Sequence, residues 1–405
     1  MKTKFFAVFG ALVFLLALPA YSKFARQALE EVPIERLLKN LKDYLEKHPK
    51  EAEAHYTFGR ICSMAYARNV KTISAELKDW EKNPNDYPNL SRDDTFPKEE
   101  IRVTPKEKPT PAKLQYLRLA IDHYRAALTL KPDNLWAWLG YAWTVEQGVQ
   151  YADKIPAPFD SKKAKVAKPV WREEALNAYR KVYEGSSKEE RGLMNFPDPA
   201  VESGESILRV QKMRASLLTP KEREEVASIE KSLPDLRHRG GSVTPIIFPL
   251  TANASFQRLT ATSKRVSFDM MGDGIRRRWS WVTPDAGFLV WNPKRNGRVT
   301  SGYQLFGMVT WCIMWKSGYE PLARLDNDRN GWLEGRELEG IGVWQDRNGN
   351  GVCDAGEVLT LKQLGIARIA VRGQRKMGGV LSNPQGIVKR DGSTLPTFDW
   401  IAKTP

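Results

Sequence analysis

Cysteine is scarce in this sequence, with three residues at positions 62, 312 and 353. An odd number at wide, unrelated spacings indicates no disulfide framework. Histidine is almost as rare (His48, His55, His123 and His238). No HExxH, GxSxG or phosphate-cradling glycine loop is present, which argues against the common zinc-protease, serine-hydrolase and P-loop chemistries. We therefore expect a protein that is not an enzyme, with a hydrolase built on an unfamiliar carboxylate pair as the alternative. After the N-terminus, no stretch is apolar enough to cross a bilayer, so no membrane span is expected in the mature chain.

What is present is sufficient for more than one packed interior: 405 residues, 41% hydrophobic, with 13 tryptophans. The net charge of +15 is spread along the chain. It reads as a solvated basic surface, with contact to an anionic polymer as the alternative and no specific nucleic acid indicated. Lys2 and Lys4 precede an apolar run from Phe5 to Leu18, and Ala20-Tyr21-Ser22 supplies small residues at a cleavage site. This predicts an export signal over 1–22, cut after Ser22 or kept as an anchor, and a periplasmic or extracellular protein.

The chemistry is concentrated in residues 326–357, DNDRNGWLEGRELEGIGVWQDRNGNGVCDAGE. Two twelve-residue stretches, 326–337 and 346–357, place oxygen ligands at positions 1, 3, 5 and 9, glycine at 6 and glutamate at 12. That is the spacing a Ca²⁺ ion needs to gather six to eight oxygens. The first set is Asp326, Asp328, Asn330, Trp332 through its carbonyl, Glu334 (through a water) and Glu337. The second is Asp346, Asn348, Asn350, Val352 through its carbonyl, Asp354 and Glu357. Gly331 and Gly351 supply the φ > 0 turn. Eight acids against three arginines give this stretch a net −5 inside a basic chain. Two Ca²⁺ ions are expected. Cys353, at position 8 of the second loop, reads as a small buried hydrophobe, with a Cys312–Cys353 bridge as the alternative.

Upstream, residues 30–233 read as helical. LAIDHYRAALTLKPDNLWAWLGYAW (119–143) sets Ala120, Tyr124, Ala127 and Pro132 at offsets 0, +4, +7 and +12, followed by Trp138 and Ala142. The stretch ending KDYLEKHPKEAEAHYTFGRI is a weaker copy, and EEALNAYRKVYE repeats the second half with Ala175, Tyr179 and Val182. Residues 33–187 thus resemble degenerate tetratricopeptide repeats, in which small residues let antiparallel helices approach and aromatics fill the gap. The resemblance implies a protein-binding surface, interrupted by insertions at 67–113 and 149–171. Further helices are expected at 198–217 and 221–232, and Leu233-Pro234 and Arg239-Gly-Gly mark a linker over 234–242.

From 243 onward, short β-type runs alternate with turn residues. The order TPIIFPL, VSFDMMGDG, WSWVTPDAGFLVWN, NGRVTSGYQLFG and then the double loop resembles the EF-hand-like calcium-binding domain of exported bacterial hemolysin-type (repeat-in-toxin) proteins. That likeness implies calcium ligation at the two loops. The earlier turns depart from it: Met271 stands at a ligand position, and Asn292, Lys294, Thr300 and Gln304 replace acids. No metal is expected there, and Arg276, Arg277, Arg278, Lys294, Arg295 and Arg298 give a basic surface instead. Only eight residues, LEGIGVWQ, separate the loops, too few for the two helices of paired hands. We expect an α+β domain over 243–405, with Val343-Trp344 a strand stub, TLKQLG a short helix capped by Thr360, IARIAV a strand, and a hairpin at Asp391-Gly392. The fold class expected for the whole chain is therefore multidomain: all-α and repeat-like, then α+β around calcium loops.

Overall fold

Capping and periodicity account for the first half of the chain. The computed structural model describes residues 29–68, 72–75, 110–155, 167–187, 198–237, 241–251, 255–260, 263–272 and 276–404. The expected signal over 1–22 and most of the insertion at 67–113 lie outside them. Leu29–Pro33 (β1) and Thr72–Ala75 (β2) pair antiparallel. Seven helices are described in this half: Ile34–Lys47 (α1), Ala52–Arg68 (α2), Pro111–Leu130 (α3), Leu135–Gly148 (α4), Lys168–Ser187 (α5), Pro199–Lys212 (α6) and Pro220–Arg237 (α7). Thr110 caps α3, its hydroxyl accepting from Lys113 N at 3.2 Å ahead of Pro111 at the first helical position. Asn134 and Asp198 cap α4 and α6 in the same way.

Each helix packs on the next in chain order. Tyr124 on α3 is fully buried and lies against Gly59 of α2 and Gly140 of α4. A methyl group added at Gly140 would sit 2.2 Å from the Tyr124 ring, so glycine is what lets these helices approach. Two expectations are corrected. The helix expected over 198–217 stops at Lys212, and Ala215–Leu217 forms a separate 3₁₀ turn. The helix expected to end at 232 runs through Pro234 to Arg237. Pro234 lies in the last turn, where it removes one i→i−4 amide bond.

The second half is dominated by antiparallel strands. Its main sheet is built from Ile246–Pro249 (β4), Ala286–Trp291 (β7), Trp332–Glu334 (β8), Ile341–Trp344 (β9), Val358–Thr360 (β10), Ile366–Ala370 (β11), Arg375–Met377 (β12), Val380–Lys389 (β13) and Thr394–Asp399 (β14). The order is β10-β9-β7-β4-β14-β13-β11-β8, with β12 paired to β13. Ser242–Val243 (β3) pairs with Ala402–Lys403 (β15), and Arg265–Phe268 (β5) with Arg277–Ser280 (β6). Every residue of β7 and β9 is buried, as befits central strands covered on both faces. Val343-Trp344 ends the four-residue strand β9, which leads into the second loop. Phe268, Trp281, Phe288 and Trp344 form one aromatic cluster with centroids 5.4–5.8 Å apart. The hairpin at Asp391-Gly392 forms between β13 and β14. The helix expected at TLKQLG does not form: 361–365 is a run of turns, although the Thr360 hydroxyl still accepts from Gln363 N at 3.2 Å.

The two halves meet over a buried polar contact. Arg60 on α2, with no exposed surface, donates from Nε and Nη2 to the Cys312 carbonyl at 3.2 and 2.7 Å. All three cysteines are free: Cys312 Sγ donates to the Tyr303 hydroxyl and Cys353 Sγ to the Gly297 carbonyl, so the alternative bridge is absent. Among the described residues, no helix is long and apolar enough to cross a membrane.

Candidate metal centre

The loops at 326–337 and 346–357 fold alike because four backbone-to-side-chain bonds recur at matching positions. Gly331 N and Gly351 N donate to Asp326 Oδ2 and Asp346 Oδ2 at 3.0 and 2.8 Å. Asn327 N and Arg347 N donate to Glu337 Oε1 and Glu357 Oε1. Glu334 N and Asp354 N donate to Glu337 Oε2 and Glu357 Oε2. Trp332 N and Val352 N donate to Asn330 Oδ1 and Asn350 Oδ1. The first and last carboxylates of each loop therefore hang from the loop's own amides, facing inward. Both pairs are buried: Asp326 and Glu337, Asp346 and Glu357.

The two interiors differ. In the first loop Asp326, Asp328 and Glu337 bring carboxylate oxygens within 4.8 Å of one another. Burial pushes the Asp326 carboxyl above its usual range, the Gly331 and Arg329 amides pull it down, and the Glu337 charge adds to the rise. Asn330 Nδ2 donates to Asp328 Oδ2 at 3.1 Å and Glu334 Oε1 at 3.2 Å. Trp332 offers its backbone, and its indole lies under the Arg368 guanidinium at 4.4 Å. In the second loop Asn348 and Asn350 both donate their amides to Asp354 Oδ2, at 2.8 and 2.9 Å, holding that carboxyl below its usual range. Among the described residues, no second group of three acid, histidine or cysteine side chains converges as the first does. Val352 is exposed, and its carbonyl belongs to the loop backbone.

Several partners of the loops carry no sequence signal. Trp281 Nε1 donates to Asp346 Oδ2 at 2.7 Å, and Trp344 Nε1 to Glu357 Oε2 at 3.3 Å. Lys264 Nζ donates to the Asn348 carbonyl. Arg276, expected as part of a basic surface, is exposed and donates to the carbonyls of Ser267 and Gly351 at 2.6 and 3.1 Å, pinning the second loop to β5. In the earlier turn, Gln304 accepts from Thr300 N and donates to the Arg298 carbonyl, so an amide stitches the segment 298–304. Asp273 and Gly274 lie outside the described residues.

An all-oxygen donor set of carboxylates, amide oxygens and carbonyls suits a hard cation such as Ca²⁺ and lacks the nitrogen and sulfur ligands that zinc favours.

Residues 253–401 match the family model of the SPM domain. The chain is also similar to the iron-regulated protein FrpA of Neisseria meningitidis serogroup C, 34% identical over 144 residues. That match covers 33% of this chain and 13% of the relative, so the chain spans a small part of the curated protein it resembles.

Proposed function

We propose that this is an exported calcium-binding protein without catalytic activity of its own. Its 243–405 region takes two Ca²⁺ ions that hold it folded. Its helices over 30–233 present a tetratricopeptide-like surface to a protein partner. Supporting the calcium reading is one observation above others: the same four bonds recur in both twelve-residue loops and turn buried carboxylates inward. Asp326, Asp328 and Glu337 then face one another at a separation that a divalent cation would relieve. In the first site Asp326, Asp328, Asn330, the Trp332 carbonyl, Glu334 and Glu337 are the ligands. In the second they are Asp346, Asn348, Asn350, the Val352 carbonyl, Asp354 and Glu357. The second carries fewer charges, and dissociation constants of about 10⁻⁶–10⁻³ M fit both. Export is supported by the basic and apolar pattern of residues 1–22. Calorimetry with Ca²⁺ on the metal-stripped chain should give two sites per molecule and a higher melting temperature. Absence of binding heat overturns the reading.

A further inference from the structure

The two loops attach to different parts of the molecule. The first touches the helical half. Asn40 on α1 donates its amide to Asn327 Oδ1 at 2.9 Å and to the Arg324 carbonyl at 3.1 Å. Arg329 Nη2 returns a bond to the Asn40 carbonyl at 3.3 Å. The guanidiniums of Arg324 and Arg329 lie 5.6 and 5.9 Å from the Tyr44 ring, on the same helix. Among the described residues, the second loop makes no such bond to the helices. At the position matching Asn327 stands Arg347, whose side chain bonds within its own loop to the Ala355 carbonyl. At the position matching Arg329 stands Gly349.

That last difference is informative. Both position-4 residues are in the left-handed region, Arg329 at φ +64° and Gly349 at φ +63°. Glycine adopts this conformation freely, whereas an arginine there is strained by roughly 1 kcal/mol. The strained residue is the one whose side chain grips α1. Asn327 and Arg329 also donate their backbone amides to Glu337 and Asp326, the two ends of the first ligand set. Each therefore joins a ligand carboxylate to α1 through a single peptide.

We infer that an ion in the first loop is coupled to the seating of α1, while an ion in the second loop acts within the strand-rich half. This rests on the calcium reading above. Drawing Asp326 and Glu337 onto a cation fixes the peptides of Asn327 and Arg329, and these fix the side chains that Asn40 and Tyr44 receive. By linkage, the seated helix tightens the first site by the same factor.

The test uses the full chain and variants Glu337→Gln, Glu357→Gln and Asn40→Ala, with calorimetry and amide hydrogen exchange over 37–47, with Ca²⁺ and with chelator. Calcium should slow exchange in α1. Glu337→Gln should abolish that slowing and Glu357→Gln should leave it. Asn40→Ala should weaken one of two sites about fivefold and spare the other. Circular dichroism of each apo variant shows whether α1 still forms. Two-site binding with unchanged α1 exchange overturns the coupling but not the calcium reading. So does slowing lost equally in both glutamine variants, or Asn40→Ala binding like the parent. No binding heat in the parent overturns both.

Discussion

Gly331 and Gly351 occupy the same place in their loops, at φ +90° and +68°, yet their surroundings are opposite. A methyl group at Gly331 would meet nothing within 4 Å, whereas at Gly351 it would lie 1.9 Å from Val266 Cγ1 and 3.1 Å from the Ser267 carbonyl. Gly331→Ala should therefore cost only the left-handed strain, about 1 kcal/mol. Gly351→Ala should add overpacking against β5 and cost about 3 kcal/mol. Urea denaturation of the metal-loaded chain checks the pair, and equal losses would mean that β5 yields to the second loop. At this scale, what a sequence can reveal depends on distance along the chain. Asp326 and Glu337 are legible because a twelve-residue frame fixes their roles locally. Trp281, 65 residues from Asp346, and Asn40, 287 residues from Asn327, obey no period, so nothing in the string marks them as partners of the loops.

Between α2 and α3 the informative contact is a pair of imidazoles. His55 Nε2 donates to the Pro49 carbonyl at 3.1 Å, which leaves His55 Nδ1 to accept from His123 Nδ1 at 3.0 Å, while Phe58 stacks on His123 at 3.9 Å. Burial, and then the neighbouring His55, push the His123 value down from 6.5 to about 4. As pH falls, the unfolded chain takes up this proton before the folded one does, so stability rises with pH across that window. The contribution should be complete above about pH 6.5, shrink as pH falls towards 4, and amount to roughly 1–2 kcal/mol after allowing for partial exposure. His123→Gln should flatten the melting temperature over pH 4–6.5, and an unchanged slope would exclude His123 as its source. Element boundaries were less legible than element identity. The stripe of Ala120, Tyr124 and Ala127 marks α3 because a buried face must recur every turn. Pro234, by contrast, does not end its helix, which continues to Arg237, and nothing in the string marks that. TLKQLG has the cap of a helix without the length to hold one.

For the whole molecule, the decisive contact is Arg60. A guanidinium without solvent is strongly unfavourable unless its donors are met, and two of them are spent on the Cys312 carbonyl across the junction of the halves. Arg60→Ala leaves a cavity and an unmet Cys312 carbonyl and should destabilise by about 2–4 kcal/mol. In scanning calorimetry it should split the melting of helices and sheet into two transitions, and an unchanged single transition would show that the junction is held elsewhere. The division into a helical half and a strand-rich half was readable because hydrophobic periodicity changes near residue 241. Their junction was not, because an arginine in an apolar helix looks the same in the string whether it points to water or inward.

The strand order has one more implication. The main path of the sheet ends in β10 and β8, with β12 paired to β13 beside it. β8 lies inside the first loop, at Trp332–Glu334, and β10 starts at Val358, directly after Glu357. Each loop therefore finishes one rim of the sheet. A rim strand that loosens offers its amides and carbonyls to any extended neighbour, the usual origin of edge-to-edge aggregation. On the calcium reading proposed above, losing the ions is an event of solubility as much as of folding, with both rims becoming adhesive together. Light scattering of the chelated chain should rise steeply with protein concentration and fall back when calcium is restored.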